Sequence, residues 1–296
     1  MLPNSLNKGD TILIIGTARA RTKEQLAPSI KILKSWGLKV IEGKNLYKKY
    51  HQFAGTDKER SHDLQWAVNH PTAKAVLIAG GGYGTLRIID GINFDAFKKH
   101  PKWFIGYSDT TVLHARLLKN KISCIHGTMA FQFTKNELAT NSIRELLFNQ
   151  TFNYDIPTHP LNRAGVATGE IVGGNLSLIY ALSGSKDDLV TKNKILFIED
   201  LDEQLYHVDR MILQLKRSGK LNHLKGLIVG GMSDMKDNAV PYGKSAEEII
   251  FDAVKEFKYP VCFGFPAGHI DNNMALIFGK KADLTILRKK VTLNYK

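Results

Sequence analysis

The feature that most constrains the fold of this chain is a regular alternation, over its first 120 residues, of short apolar runs with longer segments of helical periodicity, punctuated by glycine. Residues 11–15 (TILII) form an apolar run of strand length, and residues 24–36 follow with apolar positions at Leu26, Ile30, Leu33 and Trp36 before Gly37. The pattern repeats: strands at 38–41, 75–79 and 103–107, helices at 57–68, 86–92 and 111–118. Strands that alternate with helices pair in parallel, because the crossover helix returns the chain to the same sheet end and covers a sheet face. The first half therefore predicts a parallel-sheet α/β domain.

From 149 to 163 the periodicity stops and Pro157 and Pro160 appear. Beyond it the sequence predicts strands at 168–172, 195–198, 226–229 and 261–263, helices at 175–182 and 206–218, and a β-rich tail at 282–294. The expected division is an N-terminal α/β domain over 1–150, a linker over 151–166, and a smaller C-terminal α/β domain over 167–296. A length of 296 residues fits two domains.

Composition removes several function classes. No stretch approaches the roughly 20 apolar residues that span a bilayer, and the apolar run after Asp10 is too short for a signal-peptide core, so no membrane partner and a cytoplasmic location are expected. The two cysteines, Cys124 and Cys262, are isolated, which leaves a disulfide framework or zinc cluster without support. Lys and Arg total 41 against 28 acids, a net charge of +13. The lysines are scattered rather than gathered into a stripe, so a nucleic-acid partner is not expected.

Four segments carry candidate chemistry, each at the end of a predicted strand. In FIGYSDTT, Ser108 stands between a strand and a helix, where the unpaired N–H groups of the first helical turn can stabilise an oxyanion; capping of that helix is the simpler role for a serine so placed. AGGGYGT (79–85) lets backbone approach a ligand closely, though a tight turn also explains it, and it matches neither the Walker loop nor the dinucleotide fingerprint. In ILFIEDLDEQLYHVDR, Glu199 follows an apolar strand, which suits an orienting carboxylate or an ordinary helix-capping acid. In CFGFPAGHIDNN, His269 occupies a shaped loop, and imidazole is the usual general base near neutral pH. Ser108, Glu199 and His269 stand in the order nucleophile, acid, base, yet G-Y-S-D-T is not the G-x-S-x-G elbow of lipases and esterases.

The set GGYG (81–84), GYSD (106–109), HG (126–127), GGNL (173–176), FIED (197–200) with its DE-x-x-Y-x-x-DR continuation to Arg210, and P-x-GH (266–269) resembles the LD-carboxypeptidases and their microcin-immunity relatives. The resemblance runs from Gly9 to Gly279. It implies a first domain of glutamine-amidotransferase-like architecture carrying Ser108 as nucleophile and a second carrying Glu199 and His269 as orienting acid and general base. It further implies an oxyanion hole from the N–H groups of Asp109 and Gly82, substrate contacts at Gly81, Tyr83, His126 and Asn175, no metal or cofactor, and a homodimer. The implied substrate is a cytoplasmic murein tetrapeptide that loses terminal D-alanine in cell-wall recycling. The alternative is an amidase of the microcin-immunity type acting on peptidyl or aminoacyl nucleotides. Two positions depart from the pattern: Gly80 stands where relatives often carry Arg, and Thr128-Met129 follows the HG motif where many carry proline.

Overall fold

The computed structural model describes residues 1–150, 154 and 156–296. Its strands are β1 (Thr11–Ile15), β2 (Lys39–Glu42), β3 (Ala73–Ile78), β4 (Trp103–Gly106), β5 (Cys124–His126), β6 (Gly165–Asn175), β7 (Ile195–Leu201), β8 (Gly226–Ser233), β9 (Val261–Cys262), β10 (Leu276–Phe278), β11 (Lys281–Leu287) and β12 (Lys290–Tyr295). They form two six-stranded sheets, ordered β10-β5-β4-β3-β1-β2 and β12-β11-β6-β7-β8-β9. The expected α/β class, with a parallel sheet in the first half and a β-rich tail in the second, holds.

The chain divides into two compact units, Met1–Phe152 with Asp271–Ile277 and Asn153–Ile270 with Phe278–Lys296. In the first, β1 to β5 pair in parallel. Ile12 to Ile15, Val76 to Ile78, Phe104 and Ile105 are wholly buried. Continuous apolar strands of this kind need helices on both faces, and burial of each such side chain contributes about 1.5–3 kcal/mol. The helices begin on strong local signals: Thr22 with Gln25, and Thr56 with Glu59, form capping boxes at Lys23–Ser35 and Asp57–Asn69. Since β2 lies on one side of β1 and β3 on the other, the loops leaving β1 and β3 diverge at a topological switch point, where open α/β sheets place ligands.

In the second unit β6 to β9 are parallel, and β11 and β12 add an antiparallel edge to β6. Ile195 to Ile198 and Leu227 to Val229 form its buried centre.

Three expectations are corrected. The helix expected over 86–92 is a short α-helix, Thr85–Ile88, that tightens into a 3-10 turn, Ile89–Gly91. Asp271–Ile277 belongs to the first unit rather than to a domain running from 167 to 296, because β10 joins the edge of the first sheet and the Ala275 N–H donates to Ser142 Oγ at 2.9 Å. Of the expected linker, residues 151–153 and 155 lie outside the described residues. Its later part is structured: Ile156 bridges Val291, and the Arg163 guanidinium donates to the carbonyls of Val254, Phe257 and Tyr259.

Candidate active site

The candidate residues of the first unit are built where β4 ends. After Gly106 the chain turns sharply, and Ser108 opens the 3-10 turn Ser108–Thr110 with φ +58, ahead of the helix Thr111–Lys119. A left-handed backbone at a residue other than glycine, asparagine or aspartate is uncommon, and it concentrates at functional turns. Here it gives the strand-turn-helix shape of a nucleophile elbow without the usual glycine pattern. The tightness falls on the neighbour instead: a Cβ on Gly106 would lie 2.6 Å from Thr110 Oγ1.

The glycine loop after β3 runs beside this turn. A Cβ on Gly81 would stand 3.4 Å from Ser108 Oγ, and Gly82 has φ +108. The two segments are tied together by Asp109, only 2% exposed. Its Oδ2 accepts from the Thr85 N–H at 2.9 Å and the Thr85 hydroxyl at 2.6 Å. Because Thr85 gives its single hydroxyl hydrogen to the carboxylate, Thr17 Oγ1, 2.9 Å away, acts as donor to it. Burial pushes the Asp109 carboxyl above the usual carboxylate range, against the Thr85 hydrogen bonds that lower it.

The candidate residues of the second unit lie where β7 ends. Glu199 is wholly buried, and its Oε2 lies 2.6 Å from His269 Nδ1 and accepts the His269 N–H at 3.1 Å. Gly268 makes that approach possible: with φ +106, its Cβ would fall 2.7 Å from Glu199 Cβ and 2.8 Å from Oε2. Burial lowers the His269 pKa, but the Glu199 charge and hydrogen bond, with Asp200, outweigh it and hold the imidazole above its ordinary value. Asp200 itself is pushed up to about 7 by burial and then by the Glu199 charge, despite accepting from Leu201 N, Asn175 Nδ2 and Ser177 N.

Thus the structure brings Ser108, Asp109, Gly81 and Gly82 together in one unit, and Glu199 with His269 in the other. Tyr83 is 43% exposed, its ring 6.3 Å from Phe53. His126 is fully buried against Tyr107, ring centroids 5.9 Å apart. Asn175 caps the helix Leu176–Leu182 and donates to Asp200. Sequence reasoning missed Arg19 and Arg21, which flank the glycine loop; their signal was two arginines directly after the first strand, ahead of the capping box at Thr22. Among the described residues no cluster of three or more His, Cys, Asp or Glu is arranged to hold a metal ion.

A two-unit α/β fold with a serine on a strained strand-to-helix turn and a buried carboxylate-imidazole pair defines a serine hydrolase class. The chain belongs to the LD-carboxypeptidase family, a family of serine-type peptidases: the sequence profile of the LD-carboxypeptidase N-terminal domain matches residues 12–127 and that of the C-terminal domain residues 168–284. It is 36% identical to a probable murein peptide carboxypeptidase of Bacillus subtilis, over 98% of this chain and 93% of that protein. The crystal structure of muramoyltetrapeptide carboxypeptidase from Oxalobacter formigenes superposes with a TM-score of 0.86 at 29% identity, covering 96% of this chain and 98% of that one. The microcin C7 self-immunity protein, in complex with aspartyl sulfamoyl adenosine, shares the fold with a TM-score of 0.88 at 22% identity, covering 100% and 99%.

Proposed function

We propose that this hydrolase removes the terminal D-alanine from murein tetrapeptides, in the cytoplasm, as a homodimer serving cell-wall recycling. Ser108 Oγ attacks the carbonyl of the L,D-peptide bond while His269 takes its proton. Glu199 holds the imidazole in the tautomer that presents Nε2 as base and stabilises the imidazolium that forms. The N–H groups of Asp109 and Gly82 receive the oxyanion. His269 then protonates the leaving D-alanine amine, and water repeats the sequence on the acyl-enzyme. Gly81, Tyr83, His126 and Asn175 are assigned to substrate binding, directly or through the loops they hold.

The observation that carries this reading is the 2.6 Å hydrogen bond between His269 and a wholly buried Glu199, since burying a carboxylate for fold stability alone is costly. Incubation with L-Ala-γ-D-Glu-diamino acid-D-Ala peptides, with released D-alanine followed by mass spectrometry, tests it. The native protein should release D-alanine, and Ser108→Ala should lose at least about 10³-fold in kcat while keeping its melting temperature. No release from peptides carrying either lysine or diaminopimelate would rule out the tetrapeptide and point to aminoacyl-nucleotide amides.

A further inference from the structure

Gly80 is glycine for reasons of space, since it is not among the positive-φ glycines. A Cβ there would lie 2.3 Å from Arg21 Nε and 3.0 Å from its Cζ and Nη2. The notch left by the missing side chain is therefore filled by a guanidinium from the loop after β1. Arg21 is held there by the face of Phe131, with its Cζ 3.8 Å from the ring centroid. Arg19 lies alongside: its N–H donates to the Gly81 carbonyl at 3.2 Å, and its side chain occupies the space where a Cβ on Gly82 would fall, 2.6 Å from Cγ and Cδ.

Neither arginine has an ion-pair partner among the described residues, and Arg21 Nε is a buried donor with no acceptor among them. Burial, and then the charge of Arg19, pull the Arg21 pKa below its ordinary value. Two adjacent cations without an anion, one half-buried with an unpaired donor, form an incomplete site, because a desolvated charge is stable only when paired. The pair stands at the sheet's topological switch point. Gly80, against which Arg21 rests, is the chain neighbour of Gly81, where a Cβ would stand 3.3 Å from Ser108 Cβ.

We propose that Arg21, with Arg19 beside it, binds the free α-carboxylate of the residue that the enzyme releases, and so restricts cleavage to the last bond of a peptide. A carboxypeptidase substrate carries that carboxylate one residue beyond the scissile carbonyl. A guanidinium accepts it in a bidentate, charge-assisted fork that a lysine or an amide side chain does not reproduce. Gly80 is the second half of the device, because any larger residue there displaces the fork. This inference rests on the proposed carboxypeptidase action for its ligand, but not on the murein character of the substrate.

The test uses N-acetyl-L-lysyl-D-alanine and its C-terminal carboxamide, titrated calorimetrically into the Ser108→Ala protein with and without Arg21→Gln. The free acid should bind at least about tenfold tighter than the amide. Arg21→Gln should abolish that preference by weakening the acid alone, and Arg21→Lys should restore part of it. In the otherwise native enzyme, Arg21→Gln should raise KM for the tetrapeptide acid more than it lowers kcat. The double change Gly80→Arg with Arg21→Gly, which returns a guanidinium to the same notch, should recover more acid preference than Arg21→Gly alone. Equal binding of acid and amide by the Arg21-containing protein, no binding of the acid, or an equal loss for both ligands in Arg21→Gln would overturn the assignment. Absence of tetrapeptide hydrolysis accompanied by acid-selective, Arg21-dependent binding would instead count against the murein substrate alone.

Discussion

At the residue scale, the proposed mechanism makes the electrostatics around His269 set the acid limb of the pH profile. In that mechanism the imidazole must be neutral to take the Ser108 proton, and its pKa is held above the ordinary 6.5 because the Glu199 carboxylate outweighs the effect of burial. Activity is therefore complete above that raised pKa and falls as pH drops through it. Asp200, pushed up to about 7, adds its own charge to the effects that raise the imidazole, so the two titrations are linked. Glu199→Gln should move the limb to lower pH, by removing the charge that favours imidazolium, and cut kcat by about 10³-fold or more, by losing control of the tautomer. A kcat/KM profile from pH 5 to 9 on both proteins checks this, and an unmoved limb would exclude Glu199 as the partner that sets the His269 pKa. Ser108, Glu199 and His269 were each legible as polar residues at strand ends. Two things that make the site were not. The φ of +58 at Ser108 leaves no mark in the sequence, since serine is not a residue that advertises a left-handed turn. Arg21 stood in the sequence only as one of two arginines after the first strand, because its meaning lies in the empty space at Gly80, some sixty positions away in the chain.

At the element scale, the least forgiving junction is β6 against β7. The sequence suggested a strand over residues 168–172. Instead β6 continues through Gly173 and Gly174 and pairs Asn175 with Glu199. Glycine is required there by contact: a Cβ on Gly173 would lie 1.8 Å from the Phe197 carbonyl oxygen, and φ is +146. The clashing atom is backbone in the sheet's centre, so it has no side-chain freedom with which to give way. Gly173→Ala should therefore destabilise the protein by more than about 4 kcal/mol, the range reserved for core and backbone defects, and yield little folded material. Gly184 is the control: its φ is +77, and a Cβ added there would meet nothing within 4 Å. Alanine at that position should cost only about 1 kcal/mol of backbone strain. Thermal denaturation of the two variants distinguishes them, and equal melting temperatures would mean that the β6–β7 approach relaxes. The helix Ala246–Val254 teaches the opposite lesson. Its Ser245–Glu248 capping box stands openly in the sequence, but nothing local says that it packs chiefly against the helix Leu205–Arg217.

At the scale of the whole molecule, the return of β10 to the first sheet was the least legible feature. Leu276–Phe278 is three apolar residues long, and its neighbour β5 lies about 150 positions earlier, a pairing that no local pattern encodes. Net charge, by contrast, is fully legible and has a kinetic consequence. At +13 the protein attracts anionic solutes over distances that salt shortens, the screening length being about 10 Å at 0.1 M and about 3 Å at 1 M. A murein tetrapeptide containing diaminopimelate carries one more carboxylate than its lysine counterpart and is otherwise similar in size. If the scattered lysines steer substrate, kcat/KM for the diaminopimelate peptide should fall by about threefold or more between about 20 mM and 500 mM salt, with the loss in KM and on-rate rather than in kcat, while the lysine peptide changes less. Arg21→Gln should leave the ratio of the two salt slopes intact, because the contact it removes is made to the terminal carboxylate that both peptides share. Identical salt dependence for the two peptides would assign the positive charge to solubility alone, and a flat response confined to the Arg21 variant would trace the attraction to the pair beside the glycine loop instead of to the surface as a whole.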